Sequence, residues 1–405
     1  MGGESGYTHL VRLGSVLAEK PRNGYSPKDV SEWTGLQALG LGCLTVNGFA
    51  PVQLKNVPDT PVARRCVLAD GDVLISRANT REFVGLAGRY AGTGDPCIYP
   101  DLMMRLRPTE TRCLPSYLEI VLGSHTVRKA VRAGARGTSD SMVKISAALV
   151  EGLKIPLPSL DRQRRIVAAY DAFERRIREL EGLLSKLRFA EQALSAEVLS
   201  RGSEWDEVPL KTVATVAAGV TLGSEPVGAG TVELPYLRVA NVLDGSIDTT
   251  DVKRVRILRA QYERYALKKG DLLLTEGGDL DKLGRGAVWD GRIEACLHQN
   301  HVFRVRCGER LSSDFLALYT ASPAGRAYFQ RVGKQTTNLA SINSTQVKAM
   351  PVPVPPLDEQ ERLLGPIHAA RRRSEASKKQ IAKLRTVQRA VVEDLLVGQA
   401  GSSAT

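Results

Sequence analysis

The side chains able to do chemistry are spread along this 405-residue chain, and few stand at the spacings that chemistry demands. The densest cluster is Cys296, His298, His301 and Cys307, within ACLHQNHVFRVRC. Thiolates and imidazoles are zinc ligands, but these four match no common finger spacing, and the stretch alternates as a strand does. The expectation is a strand without a metal. Asp72, Asp271 and Asp279 lie in Gly-rich turns, where aspartate is a turn former first. A phosphate loop of the form G-x-x-x-x-G-K-S/T is absent, as are H-E-x-x-H and the nucleophile elbow G-x-S-x-G. An Asn/Asp-Pro-Pro-aromatic tetrapeptide and the glycine-rich cofactor motif of adenine methylation are missing too. We expect no active site and no bound cofactor in this chain.

Polar and basic residues gather in loops instead. In the first half these are Arg77, Asn79 and Arg81, then Arg136, Thr138, Ser139 and Lys144. In the second they are Lys282 and Arg285, then His298, Gln299 and Asn300, then Lys334, Gln335, Thr336 and Asn338. Such side chains hold phosphates or pair with base edges. For each of them taken alone, a solvated loop residue is the competing reading. The net charge of +12, from 56 basic and 44 acidic residues, also suits a polyanionic partner.

The elements that must position these loops announce themselves by repetition. IPLPSLDRQ at residue 155 returns as VPVPPLDEQ at 352, and a constant shift of 197 aligns the residues after each copy without a gap. Pro156 and Pro158 keep the chain extended, and Asp161, or else Ser159, can cap a helix. Apolar residues then recur at Ile166, Tyr170, Phe173, Ile177, Leu180, Leu184, Leu187, Leu194 and Val198, with Glu191 as the one break. Steps of three and four over several heptads form the seam of a coiled coil. The second copy places Leu363, Ile367, Ala370, Ile381, Leu384, Val391 and Leu395 on the equivalent seam, diluted by Ser374, Ser377 and Gln388. Gly365-Pro366 is expected to kink or delay its first turn. Each helix of about forty residues would span ~60 Å. Connectivity makes the pair antiparallel.

The globules repeat as well. LADGDVLISRAN in the first matches ALKKGDLLLTEGG in the second; PSYLEIVLGSHTVRKAVRAG, read as one helix, matches SSDFLALYTASPAGRAYFQRV. The expected fold class is α+β: strand-rich globules at 1–154 and 203–352, long helices at 155–202 and 353–399, a flexible tail at 400–405, and a pseudo-two-fold internal repeat. No run of ~18 apolar residues suggests a membrane span. The N-terminus lacks the basic and apolar regions of a signal peptide. Six scattered cysteines without a C-x-x-C pair fit a reducing compartment. The expected location is cytoplasmic.

These residues resemble a known family, the specificity (S) subunits of type I restriction–modification systems. The resemblance rests on P-x-P-x-L-x-x-Q, present as PLPSLDRQ and PVPPLDEQ, and on the long helix after each. It also rests on G-D-V/L-L-I/L in each globule, on HQNHVFRVR, and on the Gly-Thr and Gln-Thr loops. It spans residues 7–399. Arg162 departs from the pattern, standing where the family usually shows the glutamate that Glu359 supplies in the second copy. The resemblance implies that each globule is a target-recognition domain reading half of a split DNA site in host defence. It implies that the helices space the globules and bind two methyltransferase subunits, which would carry S-adenosylmethionine, and that motor-nuclease subunits can join. A coiled-coil scaffold without sequence-specific DNA binding, and a DNA-modifying enzyme with an unrecognised site, remain the alternatives.

Overall fold

The computed structural model describes residues 9–137, 142–200, 205–223, 226–278, 283–335 and 340–397, so the tail at 400–405 lies outside them. The chain forms two compact units, residues 1–181 with 379–405 and residues 182–378. Each long helix thus contributes one part to each unit.

Unit 1 is built on a four-stranded antiparallel sheet in the order Arg22–Asn23, Met103–Leu106, Val73–Ser76, Ala87–Arg89. Val73–Ser76 is buried at every position, as an uninterrupted apolar run covered on both faces must be. Gly71 initiates it at φ +92, a conformation that glycine adopts without a Cβ clash, and Asp72 follows to accept from Ala69 N–H at 3.0 Å. A three-stranded sheet has Gln37–Leu39 at its centre, with Cys97–Ile98 parallel on one side and Leu54–Asn56 antiparallel on the other. His9–Arg12 pairs antiparallel with Lys154–Leu157, just before the first long helix.

Unit 2 has the same strand order. Ala214–Ala218, Val302–Cys307, Leu272–Thr275 and Gly286–Val288 make its four-stranded sheet. Thr231–Leu237 lies between Leu297–His298, parallel, and Lys253–Leu258, antiparallel. Glu207–Pro209 pairs with Pro351–Pro353 before the second long helix. Gly270, at φ +94, repeats the glycine turn ahead of a fully buried strand.

The segments expected to be single helices are each broken once. Pro115–Gly123 and His125–Gly134 are separated by Ser124, whose ψ of 150° is extended and whose hydroxyl caps Val127 N–H. Ser322 does the same between Ser313–Ala321 and Pro323–Val332, accepting from Gly325 N–H. A serine that satisfies an orphan donor at a helix start favours that break over continuation.

The long helices run Leu160–Ser200 and Leu357–Val397. Ser159 is the cap of the first, accepting from Arg162 N–H at 3.4 Å, while Asp161 pairs with Arg164 instead. Gly365-Pro366 does not delay the second, which starts at Leu357 and continues through the proline. Both residues face solvent, so water can reach the carbonyl that Pro366 leaves unpaired, and buried Leu364 and Ile367 hold the turn.

Gln163 anchors the first helix. It is fully buried; its Oε1 accepts from Leu114 N–H at 2.9 Å and its Nε2 donates to the Arg112 and Pro158 carbonyls at 2.8 and 3.0 Å. Gln360 makes the same three bonds in unit 2, with Ser312 N–H and the Arg310 and Pro355 carbonyls. An amide with both ends satisfied can be buried at little cost.

Within unit 1 the two helical parts run in opposite directions. Arg162 donates to the Leu395 carbonyl at 3.2 Å, and Glu174 accepts from Arg385 and from Gln388. Arg162 thereby serves a carbonyl in the last turn of the second helix, where a cation is favoured and a glutamate would not be. In unit 2 Glu191 pairs with Arg371 at 2.6 Å. Ile166, Ile177, Leu180, Val198 and Ile367 are buried; Tyr170, Phe173, Leu184, Leu187, Leu194, Leu363, Ile381, Leu384, Val391 and Leu395 are half-buried. Ser374, Ser377 and Gln388 are also buried on that stripe. Leu364, Val392 and Leu396, off the expected stripe, are buried because they pack into the core of their own unit.

Candidate nucleic-acid interface

In unit 1 the fold collects loop residues that lie some sixty positions apart in the chain. Ala78–Asn79 pairs antiparallel with Val143–Lys144, and Arg136 closes the other edge, exchanging backbone bonds of 2.9 and 2.8 Å with Lys144. Ile145 N–H donates to the Arg77 carbonyl at 2.9 Å. Arg77, Asn79, Arg136 and Lys144 therefore share one small ladder, with Arg136 and Lys144 exposed. Arg81, also exposed, follows two residues beyond Asn79. Thr138 and Ser139 lie outside the described residues.

The corresponding ladder of unit 2 consists of Gly277–Gly278, Ala340–Ser341 and Lys334–Gln335, and it exposes Lys334 and Gln335. Lys282, Thr336, Asn338 and Asp279 lie outside the described residues. Arg285 stands at the edge of the four-stranded sheet, half-buried, its carbonyl accepting from Thr275 N–H at 2.9 Å. Gln299 and Asn300 form a turn, bonded through their backbone N–H groups to the Leu237 and Val220 carbonyls.

His298 does not join them. It is fully buried, and its Nδ1 stands 2.7 Å from the Val302 carbonyl. Burial, reinforced by Arg304 nearby, pushes its pKa down to about 4, so the ring is neutral at pH 7. His298 is buried where its strand pairs with Thr231–Leu237, which corrects its reading as a loop contact. Cys296 is buried as well, its thiol pushed up to about 12 by desolvation. His301 turns instead to Glu276, at 2.6 Å. Among the described residues no three His, Cys, Asp or Glu side chains stand close enough to hold a metal ion.

Asp72 and Asp271, the turn aspartates, hold arginines. Arg107 gives Asp72 two bonds of 2.7 and 3.2 Å, and Arg306 gives Asp271 two of 2.7 Å. Both carboxylates are buried and spent on this pairing.

Four residues beside the ladders escaped the sequence reading: Ser26 and Asp101 in unit 1, and Glu276 and, as a surface group, His301 in unit 2. Ser26 Oγ–H donates to Asp101 at 2.5 Å, and Arg77 donates to the Asp101 carbonyl at 3.2 Å. Nothing in their local spacing signals this; only the tertiary pairing brings residues 26, 77 and 101 together.

Residues 202–385 match the model of the type I restriction modification DNA specificity domain. The chain is similar to type I restriction–modification specificity subunits. The EcoKI specificity subunit of Escherichia coli (strain K12) is 21% identical over 336 residues, covering 78% of this chain and 71% of that protein. The StySPI specificity subunit of Salmonella potsdam is 22% identical, with the same coverage. A solved chain from the S subunit of a type I restriction-modification system of M. genitalium superposes with a TM-score of 0.55 at 13% identity, over 97% of each chain. Another, from a study of complex assembly and conformational transition of the type I R-M system, gives 0.55 at 19% identity, over 96% of this chain and 97% of that one. The specificity-subunit fold thus extends along both units. Among the described residues no helix is long and apolar enough to cross a membrane.

Proposed function

We propose that this chain is the DNA-recognition subunit of a type I restriction–modification complex and has no active site of its own. Each unit reads one half of a bipartite site through its polar ladder and the loops beside it: Arg77, Asn79, Arg81, Arg136 and Lys144 in the first, and Arg285, Gln299, Asn300, Lys334 and Gln335 in the second. Thr138, Ser139, Lys282, Thr336 and Asn338, in the same loops, are proposed with them. The observation that carries this reading is one strand order occurring twice, with different polar residues at its edge. Such a pair suits a duplex whose two strands are related by a dyad.

The long helices are proposed to form an antiparallel coiled-coil spacer that docks two methyltransferase subunits, the carriers of S-adenosylmethionine, with motor-nuclease subunits as further partners in the cytoplasm. The opposed pairs Arg162–Leu395 and Glu174–Arg385 in unit 1, and Glu191–Arg371 in unit 2, support that arrangement. Co-expression of the chain with its methyltransferase, followed by mapping of methylated adenines, should give a two-part motif with a fixed gap. Methyl transfer by the chain alone, or a motif without a gap, would overturn the proposal.

A further inference from the structure

One turn in each unit is built on the same backbone frame yet carries different chemistry. In unit 1 it is Pro100–Asp101–Leu102; in unit 2 it is Gln299–Asn300–His301. Met103 N–H bonds to the Pro100 carbonyl at 3.0 Å, and Val302 N–H to that of Gln299 at 2.9 Å. Arg77 N–H donates to the Leu102 carbonyl at 2.8 Å, and Glu276 N–H to that of His301 at 3.0 Å. The residue before the turn is tied in the same way, Tyr25 N–H to the Tyr99 carbonyl and Val220 N–H to that of His298. Each turn therefore abuts the start of its unit's polar ladder.

The side chains differ at every position that faces outward. Asp101 is exposed and held from two sides: Ser26 Oγ–H donates to its carboxylate, and its own N–H donates to Ser26 Oγ at 3.1 Å. Arg77 is bonded to the same residue through its backbone carbonyl, which leaves the carboxylate to Ser26. In unit 2 the residue at the place of Arg77 is Glu276, which takes His301 Nδ1–H; His301 Nε2 then stands 3.5 Å from the Asn300 amide nitrogen. The geometry points to these turns as specificity-determining elements: Asp101 accepts from the amino group of a base in the major groove, and His301, exposed and held by Glu276, meets a base in the other half-site.

This rests on the DNA-reading function proposed above and names the residues that discriminate. The charge of Asp101 is what separates base reading from phosphate binding. Beside Arg77, Arg136 and Lys144, a carboxylate repels phosphates, so a face meant only to clamp the backbone gains nothing from an ordered aspartate. A carboxylate that accepts from cytosine N4 gains sequence discrimination.

The test compares the full-length chain with its Asp101→Asn and His301→Gln variants on DNA libraries randomised at each half-site. The amide oxygen of the first variant can still accept from Ser26, so the fold is kept. Asp101→Asn should lower discrimination about tenfold at one position of one half-site. Affinity for non-specific DNA should hold or rise, because a negative charge is lost, and the other half-site should be untouched. His301→Gln should change only that other half-site. If the unaltered chain shows no sequence preference, the DNA-reading proposal itself fails. If it discriminates and both variants discriminate equally well, or if Asp101→Asn weakens every sequence alike, the assignment of the turns is wrong.

Discussion

Units 1 and 2 agree where they hold the long helices and differ where they meet solvent. Gln163 and Gln360 make the same three bonds, Asp72 and Asp271 each take an arginine fork, and Ser124 and Ser322 each break a helix at the same place. At the ladders the agreement ends: Arg77, Arg136 and Lys144 make unit 1 basic, while unit 2 offers Gly277–Gly278, Lys334 and Gln335. Buried amides and carboxylates cannot lose a partner cheaply, so their partners persist. An exposed side chain carries no such penalty and is free to follow its target.

The comparison can be broken most sharply at the glutamines. Gln163→Leu leaves one backbone donor and two acceptors without a side-chain partner at a buried helix entry, and should cost about 3 kcal/mol. Gln360→Leu should cost the same within about 1 kcal/mol. Urea unfolding of both variants measures this; a large loss at one site and almost none at the other would show that the two anchors are not equivalent.

Acid should separate the units next. His298 is buried neutral with a pKa of about 4, and unit 1 has Tyr99 at the corresponding place in its turn. The unfolded chain binds a proton at this histidine below about 6.5 while the folded chain resists it until about 4. The stability linked to it is therefore complete above pH 6.5 and is lost as the pH falls toward 4, by about 3 kcal/mol at most. Trp289, buried in unit 2, reports on that unit, and the exposed Trp33 on unit 1. Between about pH 6.5 and 5, urea titration followed by Trp289 fluorescence in a chain lacking Trp33 and Trp205 should show a falling midpoint. His298→Asn should flatten that dependence, and an unchanged slope would remove His298 as its cause.

The smallest effect is expected at the serine caps. Ser124→Ala and Ser322→Ala should each cost about 1 kcal/mol, and by similar amounts, since each hydroxyl satisfies one helix N-terminal donor. Thermal melts of the two variants would sharpen the equivalence; a loss confined to one serine would argue that the other break is held by its neighbours, such as Pro323.

Leu364, Val392 and Leu396 lie one position beyond the expected stripe and are buried because a second neighbour, the core of their own unit, covers that side. Ser374 and Ser377 are buried on the stripe although polar. Asp101 and Ser26 gave no local signal at all.

Periodicity, proline entry and the glycine–aspartate turn are local constraints, so the chain by itself determined its two long helices, the buried strands at Val73 and Leu272, and their recurrence. Each rests on contacts between residues only a few positions apart, or on φ values that only certain residues adopt. Which polar residues stand together was decided by the tertiary structure alone. Arg77, Arg136 and Lys144, or Glu276 and His301, converge only after strands separated by tens of residues have paired, and the inward turn of His298 follows from that same pairing.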